Sequence, residues 1–281
     1  MPAPSALRLR LPNPGNLTLG MINSMESAHP FYQPKNVKKL TIIIPTLNEV
    51  DNVAPLITAL DKALSRLSWS ALFVDDDSSD GTYEVLRTLA FERPHVQAIR
   101  RIGRRGLSSA CIEGMAMATS PYIAVMDADL QHDEHLLEPM LALVETEGFD
   151  LVAASRFLRG GSVGPMPARR ALMSRAANAL SARLCGVRLS DPMSGFFMLR
   201  RSLFHEVYRG LSGHGTKILL DIVTAARRPV RCTELPLRFR ERFSGASKLD
   251  AQVMWEFLCL LGQKTLRRAI PPLADRQMAK F

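Results

Sequence analysis

The chain has 281 residues, of which 47% are hydrophobic, so it can bury the core of one large α/β domain or of two small ones. Its formal net charge of +9 indicates an anionic partner such as nucleic acid, a membrane surface or a phosphorylated substrate. Aromatic residues make up only 6%, which argues against a protein that binds nucleic acid by stacking bases.

Two features of the sequence bear on the compartment. The 4 cysteines lack the spacing of a metal site, and we expect free thiols in a reducing cytoplasm. No secretory signal is recognisable, and no apolar run reaches the about 20 residues that a membrane-spanning helix needs. Any membrane contact is therefore expected to be peripheral, on the cytoplasmic face, or made through a separate membrane-anchoring protein.

The predicted elements begin after a proline-rich stretch, residues 1–38, which we interpret as a disordered tail. The continuous apolar run at residues 40–45 is typical of a strand buried on both faces. Further strands are predicted at residues 71–75, 96–100, 122–126, 151–155 and 193–199. Helices are predicted at residues 48–67, 80–90, 106–118, 133–147, 168–184 and 216–227. This alternation predicts an α/β fold with a mostly parallel central sheet and helices on both faces.

Polar clusters directly follow four of these strands. They occupy residues 46–49, 75–82, 101–106 and 127–131. Ligands of such sheets bind beyond the carboxyl ends of the strands, so these clusters are expected to converge on one site.

The Asp127-Ala128-Asp129 motif is the central candidate for chemistry. Side chains two residues apart in extended backbone point the same way, so both carboxylates can face one site. With Gln131 as a third oxygen ligand, the set suits a hard cation, Mg²⁺ or Mn²⁺. An ordinary turn is the alternative for any D-x-D, but the preceding strand favours a site. His132 and His135 lack a further zinc ligand and are interpreted as surface or helix-start residues.

The run from Asp75 to Asp77 places three carboxylates side by side, which predicts a metal or hydrogen bonds from a base and a ribose. Asp80 and Gly81 predict a turn and a helix N-cap. The first strand is not followed by G-x-G-x-x-G, and a P-loop motif is absent. These absences argue against a Rossmann dehydrogenase and a P-loop enzyme.

Eight ordered segments resemble the signature segments of the dolichol-phosphate mannosyltransferase branch of glycosyltransferase family two. They are TIIIPTLNE, FVDDDSSDGT, RIGRRGLSSACIEG, VMDADLQHDE, ASRF, SDPMSGFFMLRR, KILLDI and RFSGASKL. The resemblance runs from about residue 40 to residue 249 and implies a GT-A fold, in agreement with the predicted sheet. Leu47 departs from the pattern, since many relatives have a Tyr there that stacks on the base.

The resemblance also implies roles for single residues. Pro45 and Glu49 would line the nucleotide pocket, and Asp76 would accept a hydrogen bond from the base. Asp127 would hold the ribose or the metal, and Asp129 with Gln131 would ligate the metal. The cations that grip the diphosphate and the acceptor phosphate would be Arg156, Arg170, Lys217 and Arg242. Lys248 belongs to an R-x-x-G-x-S-K segment whose Gly–Ser loop is suited to fold over phosphates.

The expected reaction is inverting transfer of a hexose, mannose foremost, from a nucleotide-sugar of the GDP-mannose or UDP-glucose class to a polyprenyl phosphate. The acceptor phosphate is largely dianionic at neutral pH, so it needs no general base. We expect a GT-A domain over residues 39–246, followed by an amphipathic C-terminal segment, residues 247–281. Its helix, residues 247–268, either packs on the core or meets the membrane surface.

Two alternatives remain from the sequence. One keeps the fold and transfers to a polysaccharide or a soluble acceptor; the SDPMSGFF and SGASKL segments favour the polyprenyl-phosphate branch instead. The other is a non-catalytic binder of nucleic acid or of an anionic surface. The acidic clusters after the strands argue against nucleic acid, because they would repel phosphates in the absence of a metal.

Overall fold

The computed structural model describes residues 38–162, Ser181, residues 189–240 and Gly262. Its strands are β1 (Leu40–Thr46), β2 (Trp69–Asp75), β3 (Val96–Arg100), β4 (Tyr122–Val125), β5 (Leu151–Ser155), β6 (Phe197–Arg200) and β7 (Cys232–Pro236). Its helices are α1 (Val50–Ala63), α2 (Thr82–Glu92), α3 (Leu107–Met117), α4 (Leu137–Glu145), α5 (Arg201–Val207) and α6 (Ile218–Ala225), with 3₁₀ turns at Glu134–Leu136 and Tyr208–Gly210.

The seven strands form one sheet in the order β3-β2-β1-β4-β6-β5-β7. β1 pairs in parallel with β2 and β4, β2 with β3, and β5 with β7, which confirms the mostly parallel sheet. β6 alone of the described strands runs antiparallel, between β4 and β5. The amino-terminal end of β6 therefore lies at the same edge as the carboxyl ends of the other strands.

Helices cover both faces of the sheet, as predicted, and alternate residues of β1 face the two layers. Ile43 packs in the cluster that contains α3, α5 and α6, whereas Ile42 and Ile44 pack in the cluster that contains α1 and α4. Gly114 allows α3 to lie close against the sheet, because a Cβ there would come within 2.5 Å of Ile43 Cγ2. Burial on both faces explains why β1 is an unbroken apolar run.

Two predicted elements differ in conformation at their start, and one observed helix was not predicted. The strand expected at residues 193–199 begins only at Phe197, because the Ser194 hydroxyl accepts a hydrogen bond from Phe196 N and closes a turn. The helix expected at residues 133–147 starts as a 3₁₀ turn, in which the Asp133 carboxylate accepts from His135 N. Helix α5, which has Leu203, Phe204 and Val207 buried, was not predicted, since seven residues give too short a periodic pattern.

The predicted tail (apart from Lys38), the helix at residues 168–184 (apart from Ser181) and the helix at residues 247–268 (apart from Gly262) lie outside the described residues. Among the helices that the structure does describe, none is long and apolar enough to cross a membrane.

Candidate active site

The loop that follows β1 is fastened to the loop that follows β2. Asn48 N donates to Ser78 Oγ at 2.9 Å, and Glu49 N donates to Thr82 Oγ1 at 2.9 Å. Asn48 adopts a left-handed conformation, with φ 54°, which asparagine tolerates better than most residues. Pro45 and Glu49, the predicted nucleotide-pocket residues, thus lie at the carboxyl end of β1 beside the second polar cluster.

The start of α2 confirms the predicted turn. Gly81 has φ 93°, in the left-handed region that glycine adopts without strain. Gly81 is the N-cap of the helix, and the Asp80 carboxylate, one residue earlier, accepts from Thr82 N at 3.0 Å.

Two of the three adjacent carboxylates hold loops together. Asp75 is fully buried and accepts hydrogen bonds from Ser78 N at 3.0 Å and Ser78 Oγ at 2.5 Å. Asp77 accepts from Arg100 Nε at 2.8 Å, and this bond holds the pKa of Asp77 below its ordinary value. These hydrogen bonds offset part of the repulsion between the neighbouring carboxylates.

The third carboxylate, Asp76, ties the loop after β2 to the start of α3. It is 5% exposed and accepts from Arg101 Nη1 at 2.8 Å and from Gly106 N at 2.7 Å. Burial raises the pKa of Asp76, while the Gly106 N–H and the Arg101 charge oppose that rise. Arg101 is itself 3% exposed, so the pair is a buried ion pair at the site edge.

The D-x-D motif occupies a strained loop directly after β4. Gln131 N donates to Asp129 Oδ1 at 3.2 Å, and Asp129 is 5% exposed, whereas the Asp127 side chain is 36% exposed. Leu130, between Asp129 and Gln131, has φ 63°, a conformation that is rare for a residue with a Cβ and is concentrated at functional sites.

The Asp127 carboxylate lies against the backbone of Gly195, just before β6. A Cβ at Gly195 would come 3.1 Å from Asp127 Oδ2 and 3.3 Å from Oδ1. The register of the sheet accounts for this closeness, because Val125 pairs with Phe197. The absence of a side chain at Gly195 therefore makes room for the carboxylate.

His132 supports the D-x-D loop from the protein interior. The prediction of a surface position for it is wrong. It is 3% exposed, stacks on Phe196 with ring centroids 5.1 Å apart, and meets the Phe239 ring edge-on. Burial lowers the pKa of His132 to about 4, so the imidazole is neutral at pH 7. Its Nδ1 accepts from Asp127 N at 3.1 Å, which places the ring proton on Nε2. His135, in contrast, is exposed at a 3₁₀ turn as predicted.

Arg240 ties the segment that leaves β7 to the D-x-D loop. Its backbone N donates to Gln131 O, and Gln131 Nε2 donates to Arg240 O, both at 3.0 Å. The guanidinium donates to Asp133 and Glu134, each at 2.7 Å. The Arg240 charge thus offsets an acidic group that would otherwise suit a cation.

Arg156 follows β5 and is held by a buried acid. Its Nε and Nη2 donate to the two oxygens of Asp191 at 2.7 Å and 3.0 Å, and Asp191 is fully buried. The charge of Arg156 also acts on His132, which places it near the D-x-D loop.

Lys217 precedes α6 at its N-cap position, and Ile218, Leu219 and Ile222 of that helix are core, as predicted. The same connection reaches α3, because Ser108 N donates to Gly215 O at 3.2 Å. A lysine at a helix N-terminus adds its charge to the helix dipole, which favours anions.

The start of α3 lies against the loop after β2, because Gly106 N donates to Asp76 Oδ2 at 2.7 Å. Burial raises the pKa of Cys111 in α3, and the charges of Asp127 and Asp76 raise it further. Arg170, Arg242 and Lys248 lie outside the described residues.

The sequence assigned no individual role to several residues that shape the site, namely Arg101, Asp191, Gly195, Glu234 and Arg240. The signal for three of them was present, since Arg101 begins the polar cluster at residues 101–106, and Asp191 and Gly195 belong to the SDPMSGFF segment. Glu234 and Arg240 contact partners that local spacing does not reveal.

Comparison with known proteins agrees with this architecture. The pattern of "Glycosyl transferase family 2" matches residues 41–208. The dolichol-phosphate mannosyltransferase of Pyrococcus furiosus is 37% identical over 222 residues, covering 78% of this chain, and the chain spans 62% of that protein's length. The enzyme of the same name from Mycosarcoma maydis is 35% identical over 226 residues, covering 78% of this chain and 76% of that protein.

A solved structure shows the same fold. Glucosyl-3-phosphoglycerate synthase from Mycobacterium tuberculosis, in complex with Mn²⁺, UDP-glucose and phosphoglyceric acid, superposes with a TM-score of 0.60 at 18% identity. The likeness covers 94% of this chain and 87% of that one. The structural likeness agrees with the family pattern and the two sequence relatives, which show that the chain belongs to glycosyl transferase family 2.

Proposed function

We propose that this protein transfers a hexose, mannose foremost, from a nucleotide-diphospho-sugar to a polyprenyl phosphate. The observation that carries the proposal is the D-x-D loop after β4, which Gly195, His132 and Arg240 hold at the ligand edge of the sheet. The names of the sequence relatives, both dolichol-phosphate mannosyltransferases, support the choice of sugar and acceptor.

The residues of the D-x-D loop fit a divalent cation. Asp127, Asp129 and Gln131 offer oxygen atoms, which Mg²⁺ and Mn²⁺ prefer. Gln131 donates through Nε2 to Arg240 O, so the atom that it would offer a cation is Oε1. When bound, a Mg²⁺ or Mn²⁺ ion would offset negative charge on the diphosphate leaving group. The Mn²⁺ complex of the structural neighbour is consistent with this chemistry.

The donor nucleotide, of the GDP-mannose or UDP-glucose class, would bind over the loops after β1 and β2. Pro45 and Glu49 would line that pocket. Asp76 would accept from the base, and its anchoring by Arg101 and Gly106 would fix the direction of its carboxylate.

The acceptor phosphate would attack the anomeric carbon while the bond from that carbon to the diphosphate oxygen breaks. In-line attack of this kind inverts the anomeric centre. The dianionic phosphate needs no general base, so the protein's part is to position both substrates and to offset charge. The cations proposed for this are Arg156, Arg170, Lys217, Arg242 and Lys248.

A lipid acceptor implies that the protein works at a membrane. We propose peripheral contact on the cytoplasmic face, through residues 247–281 or through a separate membrane-anchoring protein. The catalytic GT-A domain would span residues 39–246, and residues 1–38 would be a tail outside it. Nucleic acid is not expected as a partner.

A donor and acceptor screen tests the proposal. Purified protein is incubated with GDP-mannose, UDP-glucose or another nucleotide-sugar, with dolichyl or undecaprenyl phosphate, and the glycolipid is measured by mass spectrometry. We expect mannosyl-phospholipid with Mg²⁺ or Mn²⁺ and none with chelator. Transfer only to a polysaccharide or soluble acceptor would contradict the proposed acceptor. If the protein binds oligonucleotides more tightly than vesicles and transfers no sugar, the proposal that it is an enzyme is wrong.

A further inference from the structure

A chain of hydrogen bonds runs from β7 to Arg156. Glu234 of β7 uses both carboxylate oxygens to hold the segment before β6. Its Oε2 accepts from Ser190 N at 2.8 Å, and its Oε1 accepts from Asp191 N at 3.1 Å and Ser190 Oγ at 3.1 Å. The Ser190 hydroxyl also lies 2.6 Å from Ser155 Oγ, at the end of β5. The backbone that carries Asp191 is therefore fixed between β5 and β7.

Asp191 in turn fixes the plane of the Arg156 guanidinium. Two nearly parallel bonds, from Nε and Nη2, engage both Asp191 oxygens. Such a paired contact uses one edge of the guanidinium, so the edge that carries Nη1 points away from Asp191. Asp191 is fully buried and the Arg156 side chain is 16% exposed, so little solvent competes for these bonds.

Aromatic rings set the position of the guanidinium relative to the D-x-D loop. The Arg156 Cζ lies 5.6 Å from the centroid of the Phe157 ring and 5.7 Å from that of Phe239. The Phe239 ring is 5.8 Å from His132, whose Nδ1 accepts from Asp127 N. Arg156 is thus joined through packed rings to the loop proposed to hold the cation.

We infer that Glu234 and Asp191 are positioning residues, which act on transfer through Arg156 by fixing the direction of its Nη1 edge toward the phosphates. The inference rests on the proposed function, because it assigns the arrangement to the same site. Glu234 lies on β7, which pairs with β5, and Arg156 follows the end of β5. Glu234 is linked to Arg156 through the Ser190–Asp191 segment that it holds.

A double-mutant cycle tests this inference. Glu234→Gln keeps the shape of the side chain but replaces one accepting oxygen with a donor, which faces the N–H groups of the Ser190–Asp191 segment. Arg156→Lys keeps the charge but cannot form the paired contact. We expect Glu234→Gln alone to lower kcat for mannosyl transfer by about 10- to 100-fold with KM for the donor changed less than about threefold. In the Arg156→Lys background the same change should lower kcat less than about twofold.

Matched controls separate positioning from stability. Glu206→Gln also breaks an ion pair with an arginine, Arg228, but on the surface, and it should leave kcat unchanged. Thermal unfolding is measured for every variant. If Glu234→Gln does not fold, Ser190→Ala, which removes one bond to Glu234, takes its place in the cycle.

The outcomes are distinct. If the fold reduction in kcat of the double variant equals the product of the two single reductions, the two residues act independently and the inference is wrong. A Glu234 or Ser190 variant with wild-type kcat would also overturn it. If the wild-type protein transfers no sugar to a lipid phosphate, the proposed function fails first, whatever the variants do.

Discussion

Replacing Gly195 with alanine should weaken cation binding while leaving the fold intact. The new Cβ would lie 3.1 Å from Asp127 Oδ2, 3.3 Å from Oδ1 and 3.5 Å from Cγ. Ordinary van der Waals contacts of a Cβ begin at 3.4 Å, so the carboxylate must move by a few tenths of an ångström. The backbone of Gly195 is not in the left-handed region, so alanine adds no backbone strain there.

The expected change in cation affinity follows from displacing a carboxylate that would ligate the metal. Groups that orient metal ligands typically change metal affinity by about 10- to 100-fold when they are altered. A shift this small should give the lower value, about tenfold, or about 1.4 kcal/mol. The assay is the rate of sugar transfer as Mn²⁺ is titrated into metal-free protein. The half-activating concentration should rise about tenfold, with the maximal rate largely recovered at saturating Mn²⁺.

Gly210→Ala is the matched control. Its added Cβ would meet Ala225 Cβ at 3.4 Å, an ordinary contact, and Gly210 lies in the 3₁₀ turn after α5. The control should keep the wild-type Mn²⁺ dependence. If Gly195→Ala keeps it as well, with unchanged thermal stability, then Asp127 does not ligate the cation or the contact with Gly195 does not orient it.

Three further predictions concern single side chains. Asp129→Asn should abolish transfer and leave the circular dichroism spectrum unchanged, and near-normal turnover with Mg²⁺ would disprove the metal site. Arg242→Lys should lower turnover on a lipid phosphate strongly at matched salt, because lysine cannot form bidentate phosphate contacts. The control Arg238→Lys should lower turnover little. Equal losses in the two variants would mean that only the bulk charge of this segment matters. The Arg228 hydrogen bond holds the pKa of Asp150 below 3.8, so ionised Asp150 stabilises the fold above about pH 4 and this contribution is lost as the pH falls through the folded pKa. Arg228→Gln should therefore reduce the fall in melting temperature between about pH 5 and pH 3. If the melting temperature of the variant falls as steeply as that of the wild type, Asp150 does not cause the fall.

The first half of the sheet could be predicted from the sequence because its strands are short apolar runs bounded by polar clusters. β1, β2 and β3 fall within two residues of their predicted positions, and the loop with Asp127 and Asp129 follows β4 as expected. Periodicity and the rule for ligand sites in parallel sheets were sufficient for that part.

The supports of the site could not be predicted, because they join residues that are far apart along the chain. Arg240 contacts Asp133 across 107 positions, and Arg156 contacts Asp191 across 35. His132 was interpreted as a surface or helix-start residue because a further zinc ligand is missing, whereas Phe196 and Phe239 bury it. The direction of β6 was equally hidden, since an apolar run carries no information about strand orientation.

The reversed direction of β6 has a consequence for how this architecture can diversify. The chain leaves β5 at Ser155 and enters the adjacent antiparallel β6 at Phe197, so both ends of the connection lie on one edge of the sheet. A connection between antiparallel neighbours has no fixed span to cross, unlike the crossover between parallel strands. The ends of this connection carry Arg156, Asp191 and Gly195, which contact the site. Between those ends, changes in length or sequence need not shift the strand register, so related proteins can differ there while the sheet and the D-x-D loop stay the same.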